Sequence, residues 1–285
     1  MTPPSSAPTM VGVYGGGRMG SGIAHAFLLA GATVRIVETS DATVQATRVR
    51  VESSVAKADQ RGTLPAPAIE LLSRLTVTTD HARLQACALV IEAVPEDPDL
   101  KRRVLRGVEH VAPEAVLATN TSSLSVDDLA RDLARPERFV GLHFFNPVPA
   151  SELVEIVVGA KTAPDLVANA QAWITALGKT AITVSDSPGF ASSRLGVVLA
   201  LEAMRMLEAG VASVDDIDTA LTLGYKHPLG PLKTTDIVGL DVRLAIAEHL
   251  ARELGDRFDP PNILREMVAA GHLGRKTGKG FYDWQ

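Results

Sequence analysis

Gly15, Gly17 and Gly20 in the stretch GGGRMGSG stand at the spacing G-x-G-x-x-G, which lets a chain turn tightly and bring its backbone against a pyrophosphate. The spacing alone is common among glycine-rich turns. Its surroundings narrow it: the apolar run MVGVY precedes it, a helical pattern bearing Ile23 and Phe27 follows, and Glu38 closes the next apolar run. A strand, a glycine turn and a helix N-terminus together aim amide groups and the positive end of a helix dipole at one place, where a diphosphate would be stabilised. Gly15, Gly17, Arg18, Met19 and Gly20 thus form a candidate dinucleotide cradle, and Glu38 would accept hydrogen bonds from the adenosine ribose hydroxyls. A 2'-phosphate would meet that carboxylate as a like charge. NAD is therefore favoured over NADP, with Arg35 and Arg48 as the cations that could oppose the preference.

His143, in GLHFFNPVP, is the second group of interest, because it places a titratable ring inside an apolar, proline-punctuated segment. A lone histidine in such company is commonly a core residue, so its meaning depends on its neighbours in space. The run LVEIVV, with Glu152 just before it and Glu155 inside it, offers two carboxylates. Their odd spacing points them to opposite faces of a strand, so only one can share a side with the ring. The stretch ATNTSSLSV reads, on its own, as a strand-to-helix turn rich in capping residues.

These residues need a frame. A chain of 285 residues exceeds the size at which one core keeps growing, so two unequal domains are expected. With 46% hydrophobic residues, 21% charged and a formal charge of -5, the composition excludes a disordered chain and argues against a nucleic-acid partner. The single cysteine, Cys87, precedes the apolar run ALVIEAV and reads as a small buried hydrophobe, consistent with a cytoplasmic home. Residues 1–9 read as a frayed tail without the features of a signal peptide, and no run reaches the length of a membrane span.

From residue 10 to 186, MVGVYG, TVRIVE, LTVTT, ALVIEAV, AVLATN, RFVGLHFF, LVEIVV and AITV are strand candidates. Several are apolar throughout, as strands covered on both faces must be. Helical stretches such as Ser40 to Gln60 and Leu100 to Val111 alternate with them, which implies βαβ units and a doubly wound, mainly parallel sheet. Ser125 with Asp128, and Ser213 with Asp216, resemble capping boxes. After SDSPG the pattern becomes helical only, in FASSRLGVVLALEAMRMLEAG, SVDDIDTALTLGY, DIVGLDVRLAIAEHLARELG and PPNILREMVAAG, where Pro261 suits a first turn. Residues 187–285 therefore form a smaller all-helical domain. Its apolar faces exceed what so short a domain buries alone, so packing on the first domain or on a second subunit is expected.

GGGRMGSGIAHAF, IEAVPEDPDLK, LATNTSSLSV, GLHFFNPVP, SDSPGF, LGYKHPLGP, DIVGLD and GRKTGKGFYDW, in this order, resemble the L-3-hydroxyacyl-CoA dehydrogenase family, in its short bacterial 3-hydroxybutyryl-CoA form. The resemblance runs from about residue 10 to the C-terminus. It implies a Rossmann-like N-terminal domain, a helical C-terminal domain that dimerises, an active site in the cleft between them, NAD as cofactor and an acyl-CoA substrate. It makes His143 the general base or acid and selects Glu155 as the carboxylate that orients it, a pairing suited to removing a hydroxyl proton near neutral pH. It makes Ser122 the hydroxyl that touches the substrate oxygen and the nicotinamide side. Asn120 would organise the turn, and Asn146 would meet the cofactor. Glu96 and Lys101, otherwise surface charges, match positions that contact ribose and phosphate groups; Lys276 would reach back to the cofactor. Ser54 and Arg61 fall where the family uses a serine and a lysine for CoA, two helical turns apart.

One position departs from the family. PGFASSRLG carries Ser193 where an asparagine commonly approaches the reacting oxygen, and a hydroxyl is shorter and offers one donor in place of two. The remaining histidines show no metal-ligand spacing, and this chemistry needs no metal. The resemblance leaves two further readings, a dehydrogenase of a free hydroxy acid such as gulonate or carnitine, and a nucleotide-binding protein without catalysis. Ser122, His143 and Glu155 argue against the latter.

Overall fold

A computed structural model describes residues 7–284, which divide into two compact units, one ending at Asp186 and the other beginning at Ser187. Of the tail expected over residues 1–9, the first six lie outside the described residues. The rest is engaged: the Thr9 carbonyl accepts from Thr33 N at 2.8 Å, extending the strand pairing by one bond, and Ala7 packs on the core.

The first unit is an eight-stranded sheet: β1 (Met10–Tyr14), β2 (Thr33–Val37), β3 (Leu75–Thr78), β4 (Leu89–Glu92), β5 (Val116–Thr119), β6 (Phe139–Phe144), β7 (Leu153–Val158) and β8 (Thr180–Ser185). Their order is β3-β2-β1-β4-β5-β6-β7-β8. Every pairing is parallel except that of β6 with β7, which is antiparallel. β4 and β6 are buried along their whole length, Glu92 and His143 included, within otherwise apolar runs. The connecting helices are α1 (Arg18–Leu29), α2 (Asp41–Gln60), α3 (Ala68–Ser73), α4 (Pro98–Val111), α5 (Val126–Ala130) and α6 (Pro164–Ala176). α2 begins at Ser40, whose hydroxyl accepts from Thr43 N while the Thr43 hydroxyl accepts from Ser40 N. At α5 the expected reciprocal box is half formed: Ser125 Oγ accepts from Asp128 N, but it donates to Asp186, and Asp128 turns to Arg131.

The second unit holds α7 (Ser192–Glu208), α8 (Val214–Thr219), α9 (Pro231–Val238), α10 (Leu240–Leu254) and α11 (Asn262–Ala269) around a core that includes Met204, Leu232, Leu250 and Leu264. Three sequence expectations change here. The stretch DIVGLDVRLAIAEHLARELG is two helices, because Gly239 takes φ +107, a left-handed value that interrupts the helix between α9 and α10. After α8 the chain widens into a π turn at Ala220–Gly224. Pro261 is the N-cap of α11, one position before its first turn. The C-terminal motif is held by a buried carboxylate: Asp236, 1% exposed, accepts from Phe281 N, Tyr282 N and Trp284 Nε1 at 2.8–2.9 Å.

Candidate active site

The sheet order turns at β1, which has β2 on one side and β4 on the other. In such sheets the crevice at the strand ends beside this switch is where ligands bind. The glycine turn lies there, between β1 and α1. Gly15 takes φ +94, and a Cβ on Gly16 or Gly20 would collide with Thr47 or with the Gly15 carbonyl. A Cβ on Gly17 would meet no heavy atom within 4 Å, so nothing in the fold requires glycine at that position. This is the space a diphosphate would take against the backbone, and the residues present fit one.

Beside the turn opens a cavity of about 720 Å³ lined by Gly15, Gly16, Gly17, Glu38, Arg50 and the apolar face of α4, among others. Glu38 Oε1 accepts from Gly16 N and from Thr47 Oγ1, each at 2.7 Å. The cation in this cavity nearest the carboxylate along the hydrogen-bond chain is Arg50, whose Nη1 donates to the Gly16 carbonyl at 3.0 Å and to Thr47 Oγ1 at 3.2 Å. Neither Arg35 nor Arg48 lines it, and the Arg35 guanidinium is turned to the Arg83 carbonyl. Arg50 and Thr47 escaped the sequence reading. The signal was present in the spacing: Thr43, Thr47 and Arg50 recur at helical intervals behind the Ser40 cap and so share a face of α2.

A second cavity in the same unit, about 340 Å³, is lined by Met19, Glu96, Lys101, Asn120, Ser122, His143 and Asn146, together with Phe145 and others. The structure thus brings together seven residues that the sequence could only place along the chain. Antiparallel pairing sets His143 of β6 opposite Glu155 of β7, and Nδ1 lies 2.7 Å from Glu155 Oε2. The ring is 6% exposed and the carboxylate fully buried. Glu152 stands outside β7, where its carbonyl accepts from Thr180 N. A carboxylate at Nδ1 fixes the tautomer with the proton on that nitrogen, which makes Nε2 the basic one. Asn120 Oδ1 accepts from Phe144 N at 3.0 Å, pinning the end of β6 to the loop after β5.

Beneath that loop lies a charge cluster, of which Glu92 and Lys101 are buried and Glu96 is exposed. Lys101, 1% exposed, directs Nζ to Glu92 Oε1 at 2.7 Å, to the Val94 carbonyl at 3.2 Å and to Glu96 Oε2 at 3.3 Å. Two hydrogen bonds and one ion pair thus hold the ammonium at the edge of the cavity that Lys101 lines, where it stands in reach of a bound ligand only through that lining. Glu96 Oε1 in turn accepts from Thr121 Oγ1 at 2.6 Å, Ser122 N at 2.9 Å and Ser123 N at 3.2 Å, so it shapes the loop that carries Ser122. Burial drives the Glu92 carboxyl above its ordinary value despite Lys101. At Glu96 burial acts the same way, but Lys101 and the hydrogen bonds from Thr121 and Ser122 together hold it below.

The other predicted residues lie elsewhere. Ser54 continues the stripe of Thr47 and Arg50 one turn along α2, half-buried, and Arg61 is exposed at its C-cap; neither lines the two cavities. Arg18 opens α1, exposed. In the second unit, Ser193 sits in the first turn of α7, and Lys276 Nζ is held by both carboxylate oxygens of Asp241 at 2.6 Å.

A glycine cradle at the switch of a parallel sheet, with a buried histidine–carboxylate pair in the same unit, defines a dinucleotide-dependent dehydrogenase. Two family models match: 3-hydroxyacyl-CoA dehydrogenase, NAD binding domain, over residues 10–187, and 3-hydroxyacyl-CoA dehydrogenase, C-terminal domain, over residues 189–284. The chain is 41% identical to the 3-hydroxybutyryl-CoA dehydrogenase of Mycobacterium tuberculosis, covering 98% of this chain and 100% of that one. It is 38% identical to a probable 3-hydroxybutyryl-CoA dehydrogenase of Deinococcus radiodurans, over 96% and 99% of the two chains. The crystal structure of (S)-3-hydroxybutyryl-CoA dehydrogenase PaaH1 from Ralstonia eutropha superimposes with a TM-score of 0.94 at 41% identity, covering 98% of this chain and 100% of that one. The chain belongs to the 3-hydroxyacyl-CoA dehydrogenase family, and its reaction is the NAD-dependent oxidation of 3-hydroxyacyl-CoA thioesters.

Proposed function

We propose that the protein interconverts short-chain (S)-3-hydroxyacyl-CoA, of the size of 3-hydroxybutyryl-CoA, and 3-oxoacyl-CoA, with His143 as general base and acid. The observation that carries this is the 2.7 Å contact of His143 Nδ1 with the buried Glu155 inside a cavity shared with Ser122 and Asn146. The names of the relatives support the chain length. In the oxidation, Nε2 takes the substrate hydroxyl proton, and Glu155 stabilises the imidazolium that results. Ser122 donates to the substrate oxygen, on a loop that Glu96 holds in place, and Asn146 and Met19 orient the nicotinamide end. NAD, when bound, accepts the hydride. Gly15, Gly17, Arg18 and Gly20 cradle its diphosphate, and Glu38 takes the adenosine ribose. Ser193 is an auxiliary contact to the reacting oxygen, Ser54 and Arg61 serve the CoA end, and Lys276 assists the cofactor.

We further read the protein as a cytoplasmic homodimer. Among the described residues, no helix is long and apolar enough to cross a membrane, and Leu195, Val198 and Leu199 of α7 stay 65%, 41% and 42% exposed, an apolar face that a second copy would cover. The functional test is NAD reduction with 3-hydroxybutyryl-CoA against free 3-hydroxybutyrate and gulonate. Turnover confined to the thioester is expected. A preference for a free acid would move the substrate assignment to the branch that Ser193, in place of asparagine, leaves open.

A further inference from the structure

The hydrogen bonds around Gly16 admit a single consistent assignment. The Gly16 carbonyl accepts from Ser21 Oγ at 2.7 Å and from Arg50 Nη1 at 3.0 Å. Thr47 Oγ1 accepts from the same Arg50 nitrogen at 3.2 Å, so its one proton goes to the nearer acceptor, Glu38 Oε1 at 2.7 Å, with the carbonyl 3.0 Å away. Thr47 is fully buried, and its hydroxyl joins a cation to an anion through one oxygen. Glu38 is thereby locked by two donors on Oε1, and Oε2 has no hydrogen bond among the described residues. Arg50 lies one hydrogen bond behind it, lining the same cavity, and among the described residues its hydrogen bonds all come from Nη1.

We propose that Thr47 and Arg50 determine cofactor choice: Thr47 is the latch that fixes Glu38, and Arg50 is a dormant anchor for a 2'-phosphate, masked by the Glu38 charge. A guanidinium offers five donors in a plane that suits phosphate oxygens, so the cavity already carries the group an NADP site needs. What excludes the phosphate is the carboxylate ahead of it. The inference rests on the reading of this cavity as the adenosine-ribose site.

Calorimetric titration of the full chain with ADP-ribose and with its 2'-phosphate tests it without turnover, and kcat/KM with NAD and NADP follows. Glu38→Ser should raise affinity for the 2'-phosphate relative to ADP-ribose by at least about tenfold, the low end of a charge-assisted hydrogen bond. Arg50→Ala added to Glu38→Ser should cancel most of that gain and spare ADP-ribose. Thr47→Val should weaken ADP-ribose binding and narrow the preference, while Thr47→Ser, which restores the hydroxyl, keeps it; melting curves show whether the variants fold. If the double variant binds the 2'-phosphate as well as Glu38→Ser does, Arg50 is not the anchor. An unchanged preference in folded Thr47→Val removes the latch. Should Glu38→Ser leave both ligands unaffected, the assignment of the cavity to the adenosine ribose is itself wrong, an outcome distinct from the other two.

Discussion

Glu155 is shut off from water and lies 2.7 Å from His143 Nδ1, so its carboxylate orients the ring that carries the proton transfer. His143→Ala should lose about 10² to 10⁴ in kcat, the range for general acid–base work, with NAD affinity measured by titration nearly intact. Glu155→Gln keeps the geometry but not the charge, so its loss should be large yet smaller. A greater loss for Glu152→Gln than for Glu155→Gln would reverse the facing of the strand. His25 on α1 is the opposite case. It is 2% exposed, its Nδ1 has no hydrogen-bond partner among the described residues, and burial first and the Lys179 ammonium second push its pKa down to about 4. The unfolded chain takes up that proton near pH 6.5 and the folded one only near 4, so stability should fall as pH drops through this window and be complete above it. Urea unfolding at stepped pH should show the slope, and His25→Leu should flatten it. Spacing alone left Glu155 as one of two carboxylates on opposite faces of a strand, and it was the family resemblance that selected it. The burial of Lys101 was not legible, because nothing in a string of residues shows that an ammonium is buried against a carboxylate such as Glu92.

An element positions chemistry by the face it presents, and here α2 and the β4–α4 connection do most of that work. The spacing of Thr43, Thr47 and Arg50 puts them against the glycine turn, and Glu92, Glu96 and Lys101 fasten the loop after β5 from below. Lys101→Met removes the cation between two carboxylates and leaves Glu92, 1% exposed, without its ion pair. A loss of about 3–5 kcal/mol in urea unfolding is expected, with Glu92→Gln added to Lys101→Met recovering part of it. All eight strands could be found as short β-rich runs, the central ones largely apolar because they are buried on both faces, while β8 at the edge, with no fully buried residue, stood out only by its β-branched residues. Their order in the sheet could not, nor the register that pairs His143 with Glu155, because both are set by contacts between distant segments. The break between α9 and α10 was hidden too: Gly239 sits inside unbroken apolar periodicity, and only its left-handed φ ends the helix.

Over the whole molecule, motifs of equal visibility turn out to have different origins. GRKTGKGFYDW carries as strong a resemblance as the glycine turn, yet its last residues answer to Asp236, a buried carboxylate satisfied by three donors from that segment. Trp284→Phe withdraws one of them and should lower thermal stability by about 1–3 kcal/mol. Gly17 is the reverse. Its φ of -58 suits any residue and its Cβ would point into open space, so Gly17→Ala should melt like the parent while losing cofactor affinity in titration. A library screened for cellular abundance would then score this position as permissive, alongside solvent-facing sites, whereas the same library screened for growth on the reaction would score it as intolerant. Subtracting one map from the other would trace the path of a bound diphosphate along the backbone, drawn by residues whose selection owes nothing to folding.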